Sequence, residues 1–320
     1  MALFSLDDHQ ADGGGPGPGN DGGGSNDGGN PQTDGSNPGN DSGPRDTGTD
    51  APIPECTGGG PRFTNARPIP GLEKANIHQH SVRGVGDGPV VYLTSERPAD
   101  GIDLGSHVFG ATRGGSGFGN PEPPPGTNIN STDFQRHAIA TADDMSMFYI
   151  QLTGTSTFGA IWRAKRSSAG ASYTTEGAVQ GLSGTTYADV YVTKTGAHMY
   201  LTKQNGSLDI FHSTPQGTGY AAPGLVDGVN APGNDEYAPV VSEDLKTMYF
   251  ARATGGQIRI RVATGQSGTS FADDKAVCGL NPANENTYPT WISPDGKTLY
   301  YVRYVGAAGI RELWQAELVP

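Results

Sequence analysis

Ser293-Pro294-Asp295-Gly296-Lys297-Thr298-Leu299-Tyr300 decides the fold, because it recurs. The same pattern stands at Ser242-Glu243-Asp244-Leu245-Lys246-Thr247-Met248-Tyr249, at Thr193-Lys194-Thr195-Gly196-Ala197-His198-Met199-Tyr200 and at Thr141-Ala142-Asp143-Asp144-Met145-Ser146-Met147-Phe148. A weaker copy runs from Gly84 to Tyr92. The aromatic anchors Tyr92, Phe148, Tyr200, Tyr249 and Tyr300 are spaced 56, 52, 49 and 51 residues apart. Pro294 sits at the second position of a tight turn and Gly296 where positive φ is required, so the segment reads as a hairpin joining two strands.

A second pattern runs in phase with the first. An aromatic residue is followed eight positions later by glycine in Phe63/Gly71, Phe118/Gly126, Tyr173/Gly181, Tyr220/Gly228 and Phe271/Gly279. Each repeat reads as four strands. In the last repeat they are Ser270–Cys278, Tyr288–Ile292, Lys297–Arg303 and Arg311–Glu317. The segments are rich in Thr, Tyr, Val and Ile, and no amphipathic helical pattern of useful length appears. Tandem four-stranded units imply an all-β, five-bladed β-propeller with four-stranded antiparallel blades over residues 62–320. The segment Arg62–Pro70 is then a lone outer strand, and the chain ends on an inner trio. Pairing the first strand with the last would close the ring and remove two sheet edges. The anchor aromatics are expected between blades, and Trp162, Trp291 and Trp314 in the core.

The remaining residues form an acidic tail. Residues 1–60 hold 17 Gly, 7 Pro, 9 Asp, Glu55 and one arginine, Arg45. That is a net of −9 out of −12 for the chain, which leaves −3 for the other 260 residues. Residues 1–61 cannot bury apolar surface and are expected to be a disordered, solvated linker. The Gly/Asp runs lack the apolar position of a calcium-binding β-roll nonapeptide. No basic patch exists to neutralise phosphates, which argues against nucleic acid as a partner. No stretch is apolar enough for a transmembrane helix. Met1-Ala2-Leu3-Phe4 is too short for a signal core and Asp7-Asp8 follow at once, so any export signal or anchor is expected outside the numbered chain. Such tails commonly tether domains in the periplasm, at the cell surface or outside the cell. Two cysteines, Cys56 and Cys278, permit one disulfide between tail and domain or two unrelated thiols.

The segment from Tyr288 through Trp291, Pro294-Asp295-Gly296 and Tyr300 to Tyr301 closely resembles the TolB-like (WD-repeat-like, Pro-Asp) β-propeller repeat family, and Tyr237 to Asp244 is a degraded copy. The likeness covers residues 62–320 at the level of repeats and weakens toward the N-terminus. The family's namesake has six blades and a further α/β domain, neither visible here. The resemblance therefore implies fold and an envelope or extracellular habitat, and fold alone does not give function.

In a propeller the segments entering the inner strands crowd one mouth of a central channel, where ligands bind. Taken repeat by repeat, the candidates are Asn76, His78 and His80; Asp133, Arg136 and His137; Asp189; Asp235 and Glu236; Glu285 and Asn286. His78 and His80 alternate onto one face of a strand. With His137 and a carboxylate they would suit Zn²⁺, Mn²⁺ or Cu²⁺; otherwise they are solvated channel residues. Asp133, Asp189 and Glu236 could supply the carboxylate pair of a glycosidase. His107, His198 and His212 are scattered and carry no expected role. No nucleophile elbow or phosphate-cradling loop occurs. The expectation is a non-enzymatic binding or scaffold module, without an obligatory cofactor, for a protein or cell-surface glycan. The competing class is a carbohydrate-active enzyme, either a glycosidase or a metal-assisted lyase.

Overall fold

The computed structural model describes residues 59–320 apart from 85–87, 97–104, 115–116, 126–128, 131–133 and positions 155, 183, 266 and 307. Most of the expected linker, including Cys56, and the candidate Asp133 lie outside the described residues. The described chain is all β, with no helix among its residues and so none long and apolar enough to cross a membrane.

The strands in order are β1 (Phe63–Pro68), β2 (Gln79–Gly84), β3 (Val90–Ser95), β4 (His107–Gly114), β5 (Gly117–Phe118), β6 (Gln135–Ala140), β7 (Ser146–Leu152) and β8 (Gly159–Lys165). Next come β9 (Thr174–Ala178), β10 (Tyr187–Val192), β11 (Met199–Asn205), β12 (Ser207–Ser213), β13 (Pro215–Gln216), β14 (Gly219–Tyr220) and β15 (Gly224–Leu225). The last are β16 (Asp235–Val241), β17 (Thr247–Thr254), β18 (Gln257–Gly265), β19 (Phe271–Ala276), β20 (Thr287–Ile292), β21 (Thr298–Val305) and β22 (Ile310–Leu318). They pair antiparallel as β2-β3-β4-β5, β16-β17-β18-β19 and β20-β21-β22-β1. The runs β6-β7-β8-β9 and β10-β11-β12-β15 join into one sheet through the pair Tyr187 and Gly159. The first strand lies beside the last, with Phe63 opposite Leu318 and Pro68 opposite Trp314.

Both sequence patterns have local causes. In the turn pattern, the hydroxyls of Thr141, Ser242 and Ser293 each donate to the carboxylate two residues on, at 2.6 Å. Asp143, Asp244 and Asp295 also accept the N–H of Met145, Lys246 and Lys297 at 3.0, 3.0 and 3.1 Å. These bonds hold all three carboxyls below the usual range. The position of Gly296 is left-handed in the four clear copies, with φ of 56° at Asp144, 73° at Gly196, 61° at Leu245 and 71° at Gly296.

The aromatic–glycine pattern links neighbouring sheets. The N–H of Phe118, Tyr173, Tyr220 and Phe271 donates to the carbonyl of Pro70, Pro125, Gln180 and Asp227, at 2.8–3.0 Å. Each acceptor stands just before the glycine of the preceding repeat. The N–H of Phe63 donates in the same way to Cys278 at 2.9 Å. Glycine is required because the backbone arrives where a side chain would stand. A Cβ on Gly228 would lie 1.7 Å from Phe271 O, and one on Gly279 would lie 2.2 Å from Phe63 O.

The core fills the faces between sheets. Tyr92, Val108, Ile129, Met147, Tyr149 and Tyr173 belong to one buried cluster. The anchor aromatics meet the aromatics of the second pattern edge to face, as in Tyr92–Tyr173 (6.3 Å), Phe148–Tyr220 (5.8 Å) and Tyr249–Phe63 (6.0 Å). Trp291 is buried and stacks on Tyr300 at 4.8 Å. Trp162 and Trp314, expected in the core, are only half-buried. Trp314 instead spends its indole N–H on Glu312 and lies under the Arg303 guanidinium.

Candidate functional site

Five strands, β2, β6, β10, β16 and β20, carry a register shift at the same place. The shifts fall at Gln79/Ser81, Arg136/Ile139, Tyr187/Asp189, Tyr237/Val240 and Pro289/Trp291. A bulge re-aims the side chains on either side of it. His137 and Ala238 sit in these bulges with φ of 55° and 52°. Most of the candidate residues stand on or next to these five positions.

The residue that unites the strands is Arg83, fully buried in β2. Its Nε donates to Thr290 O at 3.1 Å, and its Nη1 donates to His137 O at 2.8 Å and to Val190 O. Its Nη2 pairs with Asp189 Oδ1 at 2.7 Å. One guanidinium thus ties β2 to β6, β10 and β20, with the Tyr191 ring 5.9 Å away. A buried arginine is tolerable when its charge is paired and its donors are used, and here a carboxylate faces the charge and four of the five N–H donors have acceptors. Asp189 Oδ1 accepts the N–H of Val190 as well, at 2.6 Å. Sequence reasoning found Asp189 but missed Arg83. No local signal marked it, because β2 reads as a mostly polar strand and its burial at every position is a tertiary outcome.

Beside this pair lies a polar cluster. Buried His80 places Nε2 at 3.1 Å from Glu96 Oε1, and Arg311 Nη2 lies 3.6 Å from the same oxygen. Arg311 also donates through N and Nε to His78 Nδ1, at 3.3 Å each. Arg136 reaches Ser106 Oγ at 3.4 Å. The His80 imidazole is held well below its ordinary pKa by burial, and further by Arg311, Arg136, His137 and His78. Burial likewise lowers His137 to about 4, against the pull of Asp189 at 3.5 Å. Both rings are neutral at pH 7. Tyr288 donates to His80 O at 3.0 Å, and its ring stands 6.2 Å from Tyr237 and 6.1 Å from Tyr304. Asp189 Oδ2, His137 Nδ1 and Tyr237 Oη are buried without a hydrogen-bond partner among the described residues.

His78 and His137 lie close enough to His80 to act on its charge. However, the lone pair of His78 Nδ1 already meets a guanidinium, and His80 faces Glu96. Among the described residues no group of three or more His, Cys, Asp or Glu is arranged to hold a metal ion.

The other candidates go elsewhere. Glu236 is buried against Arg252 at 2.6 Å and accepts the Ala231 N–H at 3.2 Å; Arg252 in turn meets Asp274, so the network runs outward along its own sheet. Glu285 is paired with Arg303. Asp235 accepts the N–H of Leu208 at 2.8 Å and Asn286 that of Ile258 at 2.9 Å, each bracing an adjoining sheet. Asn76 is exposed with φ of 59°, a turn position that asparagine tolerates. Sequence reasoning also missed Glu96 and Arg311, and the sheet braces Asn130, Asn230 and Asn281. These three bond both backbone groups of Val108, Ile210 and Ile260, at 2.7–3.0 Å. The segments Gly228-Val229-Asn230 and Gly279-Leu280-Asn281 carried the signal for two of them.

No family model and no curated protein matches the sequence. Among solved structures the chain is similar to TolB from Acinetobacter baumannii, with 11% identity over 78% of this chain and 56% of that one, at a TM-score of 0.46. It thus spans little more than half the length of that protein. A putative TolB from Agrobacterium tumefaciens matches at 12% identity over 78% and 93% of the two chains, with a TM-score of 0.45. The β-1,2-mannobiose phosphorylase from Listeria innocua, in complex with β-1,2-mannobiose, matches at 13% identity over 82% and 88%, with a TM-score of 0.44. Superpositions this loose lend nothing to the chemistry of the site.

Proposed function

We propose that residues 62–320 form a five-bladed β-propeller closed by β1 against β22. It acts as a non-enzymatic binding or scaffold module, displayed at the cell surface, in the periplasm or outside the cell on a disordered linker of residues 1–61. The ring is supported by the repeated N–H···O link, whose five copies return from Phe63 to Cys278 in the last repeat. The partner is a protein or a cell-surface glycan.

The observation that carries the functional half is the arginine plug. Arg83 fills the place where the strands meet, and its donors are committed to Asp189, Thr290, His137 and Val190. A glycosidase needs two carboxylates facing a sugar. Asp189, Glu236 and Glu285 instead face Arg83, Arg252 and Arg303. The test has two arms. Residues 62–320 and the full chain are used as bait against envelope extract, and both are assayed for hydrolysis and lyase turnover on a polysaccharide panel. A saturable partner retained by residues 62–320, with no turnover, is the expected result. Turnover that is lost in Asp189→Asn overturns the non-enzymatic reading.

A further inference from the structure

His198 and His212 have no part in the site above, yet their rings meet. His212 lies in β12 opposite Tyr200, and His198 immediately precedes β11, so the two occupy the same face as diagonal neighbours across the pair. His198 Nδ1 is 3.0 Å from His212 Nε2, with ring centroids 5.2 Å apart and planes 31° from parallel. Both side chains are half-buried, so solvent reaches them. The backbone beneath is fixed. His198 donates its N–H to Thr193 Oγ1 at 3.1 Å and accepts from Thr193 N at 3.0 Å, while His212 is part of the ladder. The Tyr200 ring, 5.0 Å from His212 and anchored through its hydroxyl to Gly268 O at 2.8 Å, limits the swing of that imidazole.

With the two rings held nitrogen to nitrogen, one donates its N–H to the other. The same separation is the bite of a divalent ion. Zn–N bonds of about 2.0–2.1 Å at angles between square and tetrahedral place two nitrogens about 2.8–3.4 Å apart. We propose that His198 and His212 form a two-histidine site for an imidazole-preferring transition ion (Zn²⁺, Ni²⁺ or Cu²⁺) that clips β11 to β12, with water completing the coordination shell. The bridging proton moves to the outer nitrogen of the ring that carried it, so the net proton count is unchanged. Burial and the neighbouring His198 hold His212 at about 4, so that ring does not have to lose a proton at neutral pH to bind. Affinity is expected to follow the Irving–Williams order, with Cu²⁺ tightest.

The test uses the full chain, stripped with chelator and titrated calorimetrically with ZnCl₂, NiCl₂ and CuSO₄. One ion per chain is expected, and at a hundredfold excess over Kd the folded-to-unfolded ratio should rise about a hundredfold. His198→Gln and His212→Asn should each abolish that site, while His78→Ala with His80→Ala should leave it intact. Metal-free melting of every variant reports folding, and the two single substitutions check each other should one fold poorly. No bound ion, or a full equivalent retained in either single variant, overturns the site.

Discussion

Replacing Arg83 by methionine keeps much of the stem volume in β2 and deletes the guanidinium. Asp189, 2% exposed, then holds a buried carboxylate without its counter-charge. Removing one partner of a buried pair costs about 3–5 kcal/mol. The carbonyls of Thr290, His137 and Val190 also lose their donor, and each orphaned group adds about 1 kcal/mol or more. The total, about 6–8 kcal/mol, rivals the whole stability of an ordinary domain. The assay is urea unfolding at pH 7 of the parent, Arg83→Met, Asp189→Asn and the double variant, followed by tryptophan fluorescence. The double variant should be more stable than the sum of the singles allows, with a coupling of about 2 kcal/mol or more. Arg83→Met within about 1 kcal/mol of the parent, or strictly additive effects, would refute the plug as the tie between the inner strands.

Three further outcomes are expected. His137 is held at about 4 against 6.5 in the unfolded chain, so between these values the unfolded state binds more protons; stability is full above pH 6.5 and falls by about 3 kcal/mol as pH drops to 4. His137→Asn, which tolerates the left-handed backbone, should flatten urea midpoints across that window, and an unchanged slope counts against the assignment. Gly279→Ala and Gly296→Ala share positive φ (88° and 71°), but only the first meets a backbone atom, Phe63 O at 2.2 Å; Gly296→Ala should cost about 1 kcal/mol and Gly279→Ala at least twice that in thermal melts, and equal costs would mean the approach is unimportant. No described cysteine is free, and Cys278 donates its N–H to Pro61 O at 3.0 Å, close upstream of which stands Cys56. A Cys56–Cys278 disulfide is therefore expected in non-reduced peptide maps, and its reduction should cost about 4 kcal/mol; two alkylatable thiols in the native chain would dismiss it.

Much of the architecture was legible because its causes are local. A hydroxyl–carboxylate turn ending in a left-handed residue recurs at Thr141, Ser242 and Ser293, and the strands it joins fall within a few residues of the expected bounds. The expected union of first and last strands appears as Phe63 beside Leu318, since a lone β-segment at one end and an incomplete sheet at the other each have edges to satisfy. Candidates at the site fared unevenly. His78, His80, Arg136, His137 and Asp189 gather, whereas Glu236 and Glu285 turn to arginines of their own sheets. Repeat position places a residue near the start of an inner strand, but which arginine its carboxylate meets depends on side chains of neighbouring strands that the repeat pattern does not specify.

The amino-acid order by itself determined the period, the strand type, the turns and the acidic leader, for these depend on neighbours within a few positions. Tertiary structure alone decided what stands at the centre. Arg83 finds its anion 106 residues away at Asp189 and a carbonyl 207 residues away at Thr290. No local pattern encodes such a meeting. It exists because sheets distant in sequence converge, and a charge withdrawn from water there must be matched by whichever groups the convergence supplies.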